Sequence, residues 1–214
     1  MPNPVWQKLV DQLRACGIAF AAGLTDAEVS SVESEFGFRF PPDLREFLQT
    51  ALPVSDGFPN WRSGSRDALR KWLAVPREGV LFDIEYNAFW LDEWGPRPNT
   101  LDQALEMIRP ILAAAPMLIP VYKHRMLPER PHLAGNPVFS VHQTDIIYYG
   151  ADLCDYLQRE FLRKQDAQWS IPDSLRQIDF WDIERFQDVR WSRGYAVFDN
   201  RSGTLPDLPS DQST

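Results

Sequence analysis

Apolar positions recur at helical spacing through the first fifty residues and in short runs between turn residues further on. Trp6, Leu9, Val10 and Leu13 form one stripe within Val5 to Ala15, with Gln7, Lys8, Asp11 and Gln12 outside it, which predicts an amphipathic helix ended by Gly17. Thr25-Asp26-Ala27-Glu28 has the form of a capping box, in which hydroxyl and carboxylate each satisfy a free backbone donor. It opens a helix with Val29, Val32 and Phe36 inward and Gly37 as a left-handed cap. Pro41-Pro42 suits the first turn of a third helix, whose apolar side is Leu44, Phe47 and Leu48.

Asp56 to Gly64 reads as turn chemistry around Phe58 and Trp61, followed by a short helical piece near Asp67 to Leu73. Gly79-Val80-Leu81-Phe82-Asp83 predicts a strand leading into Asn87 to Pro98, which holds too many aromatics and prolines for a regular element. Thr100 caps a helix with Leu101, Leu105, Ile108, Ile111 and Leu112 inward, and Met117 to Tyr122 predicts a strand before a proline-rich connection around Leu127 to Pro137. Val138 to Val141 and Ile146 to Tyr149 are strand-like runs separated by Gln143-Thr144-Asp145. Gly150 ends the second, and Asp152 caps a helix carrying Leu153, Tyr156, Leu157 and Phe161. A short helix near Asp182 to Phe186 and a mobile polar tail over 202–214 complete the expectation. Helices first, then short strands interleaved with helices, argue an α+β domain spanning 1–201, its N-terminal helices packed on a mainly antiparallel or mixed sheet.

With 214 residues, 44% of them hydrophobic and 13% aromatic, the chain can build one large core without metals or disulfides. Cys16 and Cys154 lie far apart and read as reduced thiols, and Met1 to Val10 lacks a basic start followed by an apolar run. The longest apolar stretch, Ile111 to Tyr122, is broken by Pro116 and Pro120, so no membrane segment is expected and the location read from sequence is cytoplasmic. The net charge of −8 argues against general binding to a phosphate backbone and favours solubility or a basic partner.

No Gly-x-Ser-x-Gly elbow is present, and Ser140 and His142, alternate residues on one strand, are plain polar neighbours on a pleat. Asp83, Glu85, Asp92, Glu93 and Asp145 are carboxylates that could converge in space for hydrolysis. His124, His132 and His142 lack metal-ligand spacing, and Gly57 and Gly64 are isolated, so neither a metal nor a phosphate-bearing cofactor is expected.

Two aromatic loops, Trp61-Arg62 and Phe89 to Arg97, carry two readings. They line a groove for a partner, or their rings pin irregular loops to the core while Glu93 pairs with Arg97. Asp145 either fixes the turn between two strands or meets a basic partner. The candidate partner-binding set is Trp61, Arg62, Trp90, Glu93, Trp94, Arg97, Asp145 and Tyr149.

The helix pair from Leu24-Thr25 to Phe36-Gly37-Phe38, the following Phe40-Pro41-Pro42-Asp43-Leu44, the Gly57-Phe58-Pro59-Asn60-Trp61-Arg62 turn and the strand-turn-strand from Asn136 to Gly150 together resemble the SUKH superfamily. That is the domain of the yeast cell-wall assembly regulator and of many bacterial immunity proteins. The block from Phe89 to Pro98 resembles the longer bacterial members. The resemblance implies an α+β domain without an enzymatic mechanism that binds other proteins. In bacterial relatives the partner is commonly a toxin of the same strain, often a nuclease or deaminase. A regulatory scaffold or ligand-sensing domain is the alternative it leaves open.

Overall fold

The computed structural model describes residues 3–162, 175–181 and 183–192; the expected tail over 202–214 lies outside them. In chain order the elements are α1 (Pro4–Ala15), β1 (Phe20–Ala22), α2 (Asp26–Phe36), α3 (Pro42–Thr50), β2 (Ala51–Pro53), α4 (Arg66–Tyr86), a single 3-10 turn (Asp92–Trp94) and α5 (Leu101–Ala114). There follow β3 (Leu118–Tyr122), β4 (Arg125–Pro128), β5 (Val138–His142), β6 (Asp145–Gly150), α6 (Leu153–Phe161) and α7 (Ile183–Ser192). The fold is α+β, and both sheets are antiparallel, β1-β2 and β3-β4-β5-β6.

The helix starts follow the local chemistry. Thr25 Oγ1 accepts from the Glu28 amide and the Glu28 carboxylate accepts from the Thr25 amide at 2.8 Å, a closed capping box at α2. Gly37 ends that helix at φ 73°, and Asp152 caps α6 by accepting from the Asp155 amide at 2.8 Å.

The pleat of the four-stranded sheet sends alternate side chains to two apolar clusters. On one face Ile119, Val121, Leu127 and Val138 meet Leu9 and Leu13 of α1, Val29 and Val32 of α2, Leu44 and Phe47 of α3 and Leu157 of α6. On the other, Leu118, Met126, Phe139, Val141 and Ile146 meet Ile108 and Leu112 of α5 and Phe186 of α7.

Helix α4 joins the two clusters. Its Leu69 and Leu73 belong to the first and its Val80 and Ile84 to the second, because the helix passes the end of the sheet where both tight hairpin loops lie. Trp72 Nε1 donates to the Lys123 carbonyl at 2.9 Å in the β3–β4 loop. Gly79 meets the β5–β6 loop so closely that a Cβ there would lie 2.6 Å from the Gln143 Cα. In both two-residue loops the first residue is at positive φ, 48° at Lys123 and 56° at Gln143, the sign that matches the right-handed twist of the strands.

Two expectations are corrected. Gly79 to Asp83 is not a strand but the second half of α4, since Leu69, Leu73, Pro76, Val80 and Ile84 make one buried stripe at helical spacing. Pro76 sits on that stripe, and its ring is held in the core while its missing N–H leaves one helical bond unmade. Strand β4 occupies Arg125–Pro128, where the proline-rich connection was expected to begin; all four residues are buried, so no alternation marks it.

Candidate functional site

The Trp61-Arg62 turn is held by main-chain geometry first. Asn60 Oδ1 accepts from the amides of Arg62 at 3.2 Å and Ser63 at 3.0 Å, which directs Trp61 inward and Arg62 toward α2. Trp61 is only 1% exposed and lies edge-on to Phe36, Phe38 and Phe40, with ring centroids 5.3–6.0 Å apart; its Nε1 has no hydrogen-bond partner among the described residues. Arg62 reaches both Glu28 oxygens and the carbonyls of Ala22 and Gly23, each at 2.9 Å. The hydrogen bonds from Arg62, and then from the Thr25 amide and hydroxyl, hold the Glu28 carboxyl down at about 2, against an ordinary value of 4.5. Both residues of this pair tie the turn to α2.

The second aromatic loop packs on the opposite face of the sheet. Trp90 Nε1 donates to the Gly95 carbonyl at 2.8 Å, Trp94 lies edge-on to Trp90 at 5.3 Å and to Phe89 at 5.8 Å, and all three rings are buried. Arg97 donates to the Ile84 carbonyl at 2.8 Å, closing the loop onto the end of α4 rather than onto Glu93. Glu93 is exposed on the 3-10 turn. The two aromatic loops therefore serve different clusters and do not line one groove.

The turn between β5 and β6 is fixed by Asp83, not by Asp145. The buried Asp83 carboxylate accepts from the Thr144 amide at 2.9 Å, from the Thr144 hydroxyl, and from Asn87 Nδ2 at 2.6 Å. A carboxylate singled out from the sequence as a possible catalytic acid thus seats α4 on the hairpin. Asp145 stands half-buried opposite the exposed His142.

Tyr149 leads to a centre that the sequence did not suggest. Tyr122, Arg125 and Ser140 form one row across three strands, and Arg125 is 8% exposed. Arg125 Nη1 donates to Ser140 Oγ at 2.9 Å and its guanidinium lies 3.5 Å from the centre of the part-exposed Tyr149 ring, while Nε has no acceptor among the described residues. No ion pair neutralises Arg125 among the described residues. The phenol of Tyr156, fully buried beside Tyr149, also has no hydrogen-bond partner among the described residues, and burial pushes its ionisation upward. His124 precedes Arg125, and burial, with Arg125, His142 and Lys123 adding to it, holds its imidazole down at about 4. The only local clue was an arginine opening an otherwise apolar run, too weak a signal to read.

The outer side of α4 is a surface feature. Val75, Phe82 and Tyr86 are 41%, 44% and 65% exposed, the last two rings 4.6 Å apart, with the exposed acids Glu78 and Glu85 between them. A cleft at the start of α2 is lined by Asp26, Glu46 and Gln49, but those groups bond one another or neighbours: Arg45 and Gln49 both reach Asp26, and Glu46 accepts from Trp6 Nε1 at 3.0 Å. No helix among the described residues is long and apolar enough to cross a membrane.

No family model matches this chain, and neither a curated protein nor a solved structure does.

Proposed function

We propose that the protein acts by binding another protein, as the SUKH resemblance implies, and that it serves as an immunity factor against a basic toxin such as a nuclease or deaminase. The observation that carries this reading is the outer face of α4. Two aromatic rings in tilted contact and a valine stand exposed on a long helix whose inner face is locked to the sheet. Exposed rings on a rigid element give contact area at small entropic cost, and Glu78 and Glu85 complement a cationic rim. The excess of acidic over basic residues would add long-range attraction for such a partner.

The test is capture of a partner on immobilised protein from lysate of the source cell at graded salt, beside a Phe82→Ala variant. One basic toxin-like protein should be retained, less strongly as salt shortens the screening length to about 8 Å and below, and the variant should retain at least tenfold less. Equal retention by the variant, or a partner that is acidic, would count against the reading.

A further inference from the structure

Beyond protein binding, we infer that Arg125, Tyr149 and Tyr156 form a site for a small carboxylate on the first face of the sheet. An arginine stays charged in any protein environment, and burying that charge without an acid is costly enough that such groups are normally paired. Arg125 is nine-tenths buried, has no carboxylate within ion-pair distance among the described residues, and makes one side-chain hydrogen bond, to Ser140.

The way that bond is made leaves a specific vacancy in the hydrogen-bonding pattern. Ser140 takes Nη1, so the edge formed by Nε and Nη2 is the one left over, and Nε is without an acceptor. Two parallel N–H donors on that edge match the two oxygens of a planar carboxylate. Tyr149 holds the guanidinium plane from one side at 3.5 Å, which fixes the direction of the edge. Tyr156 supplies a second unused donor: its hydroxyl is buried and has no partner among the described residues, and its ring lies 6.1 Å from that of Tyr149, on which the guanidinium rests. Glu160 of α6 acts on that hydroxyl, but among the described residues it makes no ion pair with Arg125. Two donors without acceptors beside a locked guanidinium that no carboxylate neutralises among the described residues point to an oxyanion of carboxylate size. The part-exposed Tyr149, on the edge strand, is the route in from solvent.

The experiment is a thermal-shift titration of the whole chain with sodium formate and sodium acetate at constant ionic strength, with chloride as the replaced anion and inorganic phosphate as a third arm. Formate or acetate should raise Tm saturably. Tyr156→Phe, which keeps the ring, should raise the half-saturating concentration about tenfold, and Arg125→Lys should abolish saturation. Should Arg125→Lys fail to fold, Tyr156→Phe together with Ser140→Ala decides the matter, since Ser140→Ala frees the guanidinium to turn and should also weaken the response. A response that is absent, non-saturable, or equal in Tyr156→Phe would overturn the proposal. So would a stronger response to phosphate than to formate. None of these outcomes bears on Phe82-dependent capture, so the two readings fail separately.

Discussion

The Trp61-Arg62 turn and the outer face of α4 are both aromatic and charged, yet their side chains have opposite commitments. In the turn the indole is enclosed by three phenylalanines, and the guanidinium bonds a carboxylate and two carbonyls. On the outer face of α4 the Phe82 and Tyr86 rings, tilted against each other, touch no other ring among the described residues and stay exposed. A Trp next to an Arg is thus no sign of a binding surface by itself. What matters is whether neighbouring residues already saturate the ring faces and the donors.

The largest effect should come from removing the enclosed ring. Trp61→Ala is expected to cost about 3–5 kcal/mol of stability in chemical denaturation, as large core truncations do. Trp61→Phe should cost well under half of that, because the indole N–H it deletes has no partner to lose. A loss in the phenylalanine variant as large as in the alanine variant would show that the indole N–H has a partner after all.

Asp83→Ala comes next. It leaves the Thr144 amide and hydroxyl buried without their acceptor, and about 3 kcal/mol should be lost, with faster hydrogen exchange in the β5–β6 loop. If the α4 face is the partner's docking surface, this variant should also weaken capture, since it loosens the same helix from the sheet.

Acid should act in two windows. The His124 imidazole is held below its ordinary 6.5, at about 4, so the unfolded chain binds its proton first and stability falls as pH drops from 6.5 to 4. Glu28 is held below 4.5, at about 2, so its contribution is complete above 4.5 and lost between 4.5 and 2. Asp43 acts in the opposite sense, because burial raises its carboxyl and makes its protonation favour the fold. His124→Asn should flatten the upper window of a pH-resolved melting profile, and Glu28→Gln the lower one. An unchanged upper window in the His124 variant would place that loss elsewhere.

The smallest effect has the other sign. Gln143→Gly relieves a non-glycine residue at φ 56° and should raise stability by about 0.5 kcal/mol, the relief being partly offset by the greater freedom of glycine when unfolded. A decrease would mean that the Gln143 side chain holds the loop against α4.

Much of the fold was legible because it is written in local chemistry. The capping box at Thr25, the glycine stop at Gly37 and the aspartate cap at Asp152 appear where the residues call for them. Helix α4 was misread because Val80-Leu81-Phe82 after a glycine looks like a strand, and Pro76 argues locally against a continuous helix, a preference that burial of its ring on the apolar stripe overrides. The candidate site was less legible. Burial of Trp61, Trp90 and Trp94, the seat that Asp83 makes for Thr144, and the convergence of Arg125 with Tyr149 and Tyr156 depend on contacts between residues far apart in sequence. No local pattern carries those contacts.

The central claim is that the sequence's most conspicuous aromatic turn holds the fold while the outer face of α4 meets the partner. Its most direct test is to measure Tm and partner capture together for Trp61→Phe and Phe82→Ala, both below their melting temperatures. The account predicts a lower Tm with capture intact for Trp61→Phe, and an unchanged Tm with capture lost for Phe82→Ala. Capture lost in Trp61→Phe and intact in Phe82→Ala would contradict it.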